Sequence, residues 1–197
     1  MWKIFGKILI IPGIHYVITR YAPNTMKRLA FEQKMKQGIW DYTVSDKSDE
    51  LLNAVQKHTR NGNILCLGCG GGSLAAALPV DSFERFIGVD ISREAIKKAK
   101  KYENEKIKFE LDDIRSFHSD LHFDVIVFEE SLYYVPSFQR LKMLKRYKEY
   151  LTDEGVFIVT TDQYNRFKKM ITMIRKQFKM IEEKFFRNSS RHMCIFR

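Results

Sequence analysis

Cysteine is scarce in this chain: three residues in 197, which cannot all pair with one another. Two of them, Cys66 and Cys69, stand too close inside a glycine-rich turn for a stabilising long-loop bridge, so a disulfide scaffold is set aside and a reducing cytoplasm is the simplest home. "CLGC" does have C-x-x-C spacing, but the chain lacks the second pair that a zinc site of about four ligands needs, and Cys66 is read as a buried strand cysteine. Long apolar runs are missing too. In "MWKIFGKILIIPGIHYVITRYAP" Lys7 interrupts the pattern, Pro12-Gly13 breaks it and no small-residue cleavage site follows, so it falls short of the roughly 18 apolar residues of a spanning helix. It is read as an amphipathic flap over the domain, with peripheral membrane contact through this positively charged N-terminus as the alternative. Acidic residues are outnumbered as well, 24 against 34 Lys and Arg, and the net charge of +10 favours an anionic partner: nucleic acid, a phospholipid surface or an acidic substrate. Residues 162–197 hold ten of the cations against three acids (Asp162, Glu182 and Glu183). Those cations alternate with Met, Ile and Phe, as in an ordinary solvated face, and a partner-binding patch is the other reading.

What is present fits one α/β domain. Hydrophobic content of 45% with 29% charged residues is near the soluble globular average, and the length suffices to bury a core. Residues 25–37 read as a helix stopped by Gly38, and "GIWDYTVSD" as an aromatic, acidic linker. A second helix follows, with Ser45, Asp46 and Ser48 as capping candidates and Asn61-Gly62 as its stop. Strands and helices then alternate. "NILCLG", "RFIGVD", "KIKFELDD", "FDVIVFEE" and "GVFIVTTD" are the strands, with Ser92 and Ser137 as caps of intervening helices and "LTDEG" as a polar turn before the fifth strand. A helix over "QYNRFKKMITMIRKQF" and two strands, "MIEEKFFRN" and "HMCIFR", complete the chain. The expectation is a parallel sheet with helices on both faces, closed by a C-terminal antiparallel hairpin, in which residues 1–44 form the flap and 45–197 the domain proper.

The chemistry gathers at the strand ends. Gly68, Gly70, Gly71 and Gly72 occupy the turn between the first strand and its helix, where backbone can approach a ligand lying across the carboxyl ends of the strands. Such a turn also serves tight strand-to-helix packing, so context decides. About 20 residues on, Asp90 ends "IGVD", where an acid would accept both hydroxyls of a ribose; the competing role is a helix cap, for which Ser92 is better placed. In "ELDDI", Asp112 and Asp113 beside Ile114 suit an adenine amino group and ring, or are simply turn residues. Ser73 stands where a dinucleotide fingerprint wants Gly or Ala.

The segments "LCLGCGGGSL", "IGVDIS", "ELDDI" and "FDVIVFEESLYYV" together resemble the class I S-adenosylmethionine-dependent methyltransferases over roughly residues 45–161. That resemblance implies a Rossmann-like sheet of seven mostly parallel strands, with the last one antiparallel. It also implies S-adenosylmethionine as cofactor, its methionine part over Gly68, Cys69, Gly70 and Gly72, its ribose on Asp90, its adenine beside Ile91, Asp112, Asp113 and Ile114, and Glu129 near the sulfonium. Small-molecule enzymes of the type 12 group are the most similar, including those that methylate sugars as in nodulation-factor N-methylation. There an aromatic stretch precedes the first domain helix, so Trp40 and Tyr42 are expected to close over the cofactor or to pack as a linker.

An acceptor hydroxyl benefits from a base, whereas an amine attacks as its neutral lone pair. "EESLYYVP" supplies Glu130, Tyr133 and Tyr134; Glu130 and Tyr134 are the candidate catalytic residues, Glu130 as base or cation-steering group, against a reading as a loop residue and rim packing. His15 joins them if the flap folds over the site. The D-P-P-Y or N-P-P-Y run of nucleobase and glutamine-amide methylases is absent. The expected activity is methyl transfer to O or N of a small polar acceptor, a saccharide among the candidates. An RNA or protein methyltransferase docking through the basic C-terminal region and a non-catalytic cofactor-binding module are the alternatives.

Overall fold

The computed structural model describes residues 12–38, 49–186 and 191–197. Seven strands form one sheet: β1 (Asn63–Leu67), β2 (Arg85–Asp90), β3 (Ile107–Leu111), β4 (Phe123–Phe128), β5 (Leu151–Thr161), β6 (Met180–Phe185) and β7 (His192–Phe196). Their spatial order is β3-β2-β1-β4-β5-β7-β6. β1 to β5 pair in parallel, while β7 runs antiparallel to both β5 and β6. The Rossmann-like sheet with its closing hairpin is therefore as expected.

The helices are α1 (Pro12–Tyr21), α2 (Asn24–Lys36), α3 (Asp49–Thr59), α4 (Ser73–Ala77), α5 (Arg93–Ala99), α6 (Ser137–Lys148) and α7 (Tyr164–Gln177). Because side chains alternate across a strand, the continuous apolar runs supply both faces of the sheet. Ile64, Cys66, Val125, Val127 and Ile158 face the core shared with Leu51 and Val55 of α3, Leu74 of α4 and Ile96 of α5. Leu65, Leu67, Ile126, Phe128 and Val159 face Leu144 and Tyr147 of α6 and Ile171 and Ile174 of α7. The outer strand β6 instead carries Glu182, Glu183 and Lys184 on a largely unburied surface, which discourages edge-to-edge pairing.

Local chemistry sets most of the boundaries. α2 gives way to Gly38 at φ 66°, and α3 to Arg60 and Asn61 at φ 52° and 62°. Ser92 caps α5, its hydroxyl accepting from the N–H of Ala95 at 3.3 Å. Two expectations are corrected. Ser137 is no cap: Pro136, with its extended ψ of 138° and no side-chain bond, precedes a helix that Ser137 itself begins. "LTDEG" is not a separate turn but the first part of β5, whose pairing shifts from Phe123↔Leu151 to Val125↔Val156, so the extra residues are absorbed as a strand irregularity. Cys66, Cys69 and Cys194 are all buried and none forms a disulfide, as read for Cys66.

The Ser92 cap is testable because α5 has only seven residues, so one cap bond is a large share of what fixes its start. Ser92→Ala is expected to lower the unfolding free energy by about 1 kcal/mol in urea, whereas Ser92→Thr retains most of it.

Candidate active site

The strand order reverses between β1 and β4, and there the two following loops meet. The Ser131 hydroxyl donates to the Leu67 carbonyl at 2.6 Å. Gly68, at φ 81°, leaves room for this contact: a Cβ there would stand 2.5 Å from that of Ser131. Gly72, at φ 80°, begins α4 against Phe109 and Ala99, which a Cβ would meet at 2.9 and 3.0 Å. The turn is tied sideways to β2. The N–H groups of Gly68 and Cys69 both donate to Val89 O, at 2.8 and 3.0 Å, and that of Gly70 to Asp90 Oδ2 at 3.0 Å. Amides that a phosphate cradle would aim outward are thus spent on the neighbouring strand.

Asp90 closes β2 with its other oxygen accepting from the Ser92 N–H at 2.8 Å. Burial pushes its carboxyl above the usual range, opposed by the N–H groups of Ser92, Gly70 and Ile91. These N–H groups fix the orientation of a carboxylate that, with up to four lone pairs, can still accept from two adjacent hydroxyls. The space beside the Gly70 Cα is open, with nothing within 4 Å of a Cβ placed there.

After β3 the two acids are in different situations. Asp113 is buried, and although burial alone would raise its carboxyl, hydrogen bonds and charge from Arg115 hold it below its ordinary value. Arg115 Nε bonds both oxygens, at 2.9 and 3.1 Å. Asp112 accepts from the Asp113 N–H at 2.6 Å and the Ser116 hydroxyl at 3.3 Å. Ile91 and Ile114 are half-buried beside them. The loop is fastened from α6, since the Tyr147 hydroxyl donates to Ile114 O at 2.7 Å and Arg146 to Arg115 O at 2.9 Å.

At the end of β4, Glu129 Oε2 lies 3.8 Å from the Cys66 thiol. Glu130 has a φ of 50°, a costly conformation for a non-glycine residue and one that concentrates at functional sites. Its Oε2 accepts from the Asp162 N–H at 2.7 Å and the Tyr133 hydroxyl at 3.4 Å, while its own N–H donates to Thr160 Oγ1 at 3.1 Å. Burial first, then the nearby Asp162 carboxylate, push the Glu130 carboxyl up from 4.5 to about 7. Burial, with Tyr134 and Glu130 close by, pushes the Tyr133 phenol well up, so it stays a proton donor. The Tyr133 ring stacks on Phe167 at 4.2 Å, and Tyr134 meets Phe31 of α2 edge-on at 5.0 Å. Trp40 and Tyr42 lie outside the described residues, as does the side chain of His15.

Residues 58–194 match a family described as "Methyltransferase domain". The chain belongs to that family. It is similar to nodulation protein S of Azorhizobium caulinodans, 26% identical over 148 residues that cover 72% of this chain and 71% of that protein. The crystal structure of the N-methyltransferase NodS from Bradyrhizobium japonicum, in complex with S-adenosyl-L-homocysteine, matches with a TM-score of 0.64 at 17% identity, over 84% of this chain and 97% of that one. An S-adenosylmethionine-dependent methyltransferase from Clostridium acetobutylicum gives 0.65 at 16% identity, over 82% and 96%. The chain is an S-adenosylmethionine-dependent methyltransferase.

Several residues of this methyltransferase's strand-end cluster were not singled out from sequence: Ser131, Thr160, Asp162, Arg115 and Tyr147. Asp162 alone had a signal, standing at the end of "GVFIVTTD" as Asp90 stands at the end of "RFIGVD".

The environment of Glu130 has a stability consequence. Its folded value lies above its ordinary one, so its contribution is full below pH 4.5 and is lost as pH rises through about 7, a change on the order of 3 kcal/mol. Urea unfolding of the wild type and Glu130→Gln should therefore diverge with pH, the variant gaining relative stability between pH 5 and 8 by an amount of that order.

Proposed function

We propose that this methyltransferase carries a methyl group to a nitrogen or oxygen of a small polar acceptor, an amino sugar being the representative case, held against Glu130 and Tyr133. Glu130 carries this reading: a buried carboxyl that changes protonation near neutrality, at the end of the strand beside the glycine turn. Support for a small acceptor comes from α1 and α2, which cover part of the strand ends. Arg20 of α1 donates to the Tyr133 carbonyl, and Lys98 of α5 donates to Met35 O of α2 at 3.3 Å. The likeness to nodulation protein S points the same way.

In this reading Gly68, Cys69, Gly70 and Gly72 line the methionine part of the cofactor and Asp90 accepts from its ribose. Ile91 and Ile114 flank the adenine. Asp112 is better suited than Asp113 to its amino group, because Asp113 is already committed to Arg115. Glu129 stands toward the sulfonium. When bound, S-adenosylmethionine supplies an electrophilic methyl carbon for in-line displacement. Ionised Glu130 takes the proton of an acceptor ammonium or hydroxyl onto a carboxylate oxygen, freeing the lone pair that attacks. The Tyr133 hydroxyl and the Asp162 N–H hold that carboxylate in place. Tyr134 and Phe31 form the adjoining aromatic wall.

Two measurements test these roles separately. Calorimetry with S-adenosylhomocysteine should show binding that falls at least about tenfold in Asp90→Ala, since a charged hydrogen bond contributes roughly 1.5–3 kcal/mol; equal affinity would remove the ribose assignment. In turnover with amino sugars, kcat of the wild type should rise through about pH 7 and level off. Glu130→Gln should lose about 100-fold or more in kcat and that pH limb, with S-adenosylhomocysteine affinity unchanged; retained turnover would overturn the base assignment.

A further inference from the structure

Helices α6 and α7 lie on the same face of the sheet, their buried sides sharing one core. Over their 12 and 14 residues they contain no Asp or Glu. Three of the cations serve the structure itself: Arg140 donates to the carbonyls of Val135 and Tyr133, Arg146 to that of Arg115, and Arg175 pairs with Glu183. The lysines are different. Lys142, Lys145 and Lys148 repeat every third residue along the exposed side of α6, and Lys168, Lys169 and Lys176 lie along the exposed side of α7. None of the six has a carboxylate partner among the described residues. An unneutralised lysine stripe on one helix is an ordinary solvated face; stripes on two neighbouring helices that themselves hold no acid make a larger positive surface, with the exposed Glu149 at its end.

Exposed apolar groups adjoin it. Phe138, in the first turn of α6, is 75% exposed. On α1, Ile14, Val17 and Tyr21 are 40, 55 and 58% exposed, at the i, i+3, i+7 spacing of a single helix side. α1 is joined to this region directly: Arg20 lies 6.0 Å from the Phe167 ring of α7 and shares the Tyr133 carbonyl with Arg140 of α6. The sequence ahead of α1 continues the theme, with Trp2, Phe5, Ile8 and Leu9 among Lys3 and Lys7, and no acid occurs before Glu32.

We propose that the α6–α7 lysine face and the exposed side of α1 form a docking surface for an anionic lipid bilayer. Cations attract the phosphate headgroups, and aliphatic side chains enter the boundary between headgroup and acyl chain. Nucleic acid would use the same cations and would stack bases on Phe138 and Tyr21, but it gains nothing from the aliphatic Ile14 and Val17, which suit the acyl boundary. No helix among the described residues is long and apolar enough to cross a membrane, so the contact is peripheral.

Flotation of the full chain with vesicles tests this. Vesicles of equal parts phosphatidylcholine and phosphatidylglycerol should carry the protein with them, phosphatidylcholine alone should not, and added salt should weaken binding. The variant K142Q/K145Q/K168Q/K169Q should bind more weakly by about fivefold for each lysine removed, the equivalent of roughly 1 kcal/mol per charge near the surface. The variant I14S/V17S should lose affinity while keeping the salt dependence. An unchanged melting temperature and unchanged S-adenosylhomocysteine binding would show that both variants are folded. Equal binding to both vesicle types, binding to neither, or wild-type affinity in the lysine variant would overturn the proposal. So would displacement from the vesicles by polyuridylate at matched phosphate concentration with tighter binding to the RNA, which would assign the face to nucleic acid.

Discussion

The contact between Gly68 and Ser131 is the constraint on which the site depends. β1 and β4 are neighbours whose loops must turn away to opposite faces of the sheet, and the Ser131 hydroxyl on Leu67 O holds them together where they part. That bond is available only because position 68 has no side chain and tolerates a φ of 81°. On one side of the contact the glycine turn is fixed to Val89 and Asp90. On the other, Glu130 is fixed one residue before Ser131, between Thr160 and Asp162. One short approach of two loops therefore sets the spacing between the glycine turn and the group proposed to take the proton.

Three acids at the ends of β3, β2 and β4, the last two strands separated by β1, have different electrostatic settings, although their sequence contexts look alike. Asp90 and Glu130 are both raised by burial, with no cation hydrogen-bonded to either carboxylate among the described residues and only the charge of Arg191 acting on Glu130. Asp113 is lowered, because Arg115 two residues away folds back onto both of its oxygens. A raised carboxyl holds a proton-accepting capacity that a ligand can use, whereas a carboxylate locked to a guanidinium is chiefly structural. The middle strand of the three, β2, contributes the group nearest the glycine turn, so the less neutralised acids lie toward the switch point and the ion pair toward the sheet edge.

Much of this was legible because it is local. The glycine run, Asp90 at a strand end, Ser92 before a helix and the apolar alternation each act within a few residues, and each appears where the chain pattern put it. The misses depend on the partner strand or the preceding residue. The β5 irregularity exists only against the register of β4, and Pro136 displaced Ser137 from the cap because an extended proline already set the entry into the helix. At the site, Glu130 was visible, but its φ and its bonds to Asp162 and Tyr133 join positions separated by up to 32 residues, which no spacing rule connects.

The Tyr133 carbonyl links these observations to the covering helices. It accepts from Arg140 at 3.1 Å and from Arg20, so its two lone pairs are taken by guanidinium groups from α6 and α1. Arg20 is 1% exposed, and burying a guanidinium carries a desolvation cost that is met only while such bonds persist. Moving α1 away would expose that charge to water at little cost but would leave Arg140 alone on a carbonyl whose own ring stacks on Phe167 and whose hydroxyl reaches Glu130. The position of the first helix and the orientation of the Glu130 carboxyl are therefore coupled through a single peptide group. A surface that holds α1 in place also holds in place the carboxyl proposed as proton acceptor.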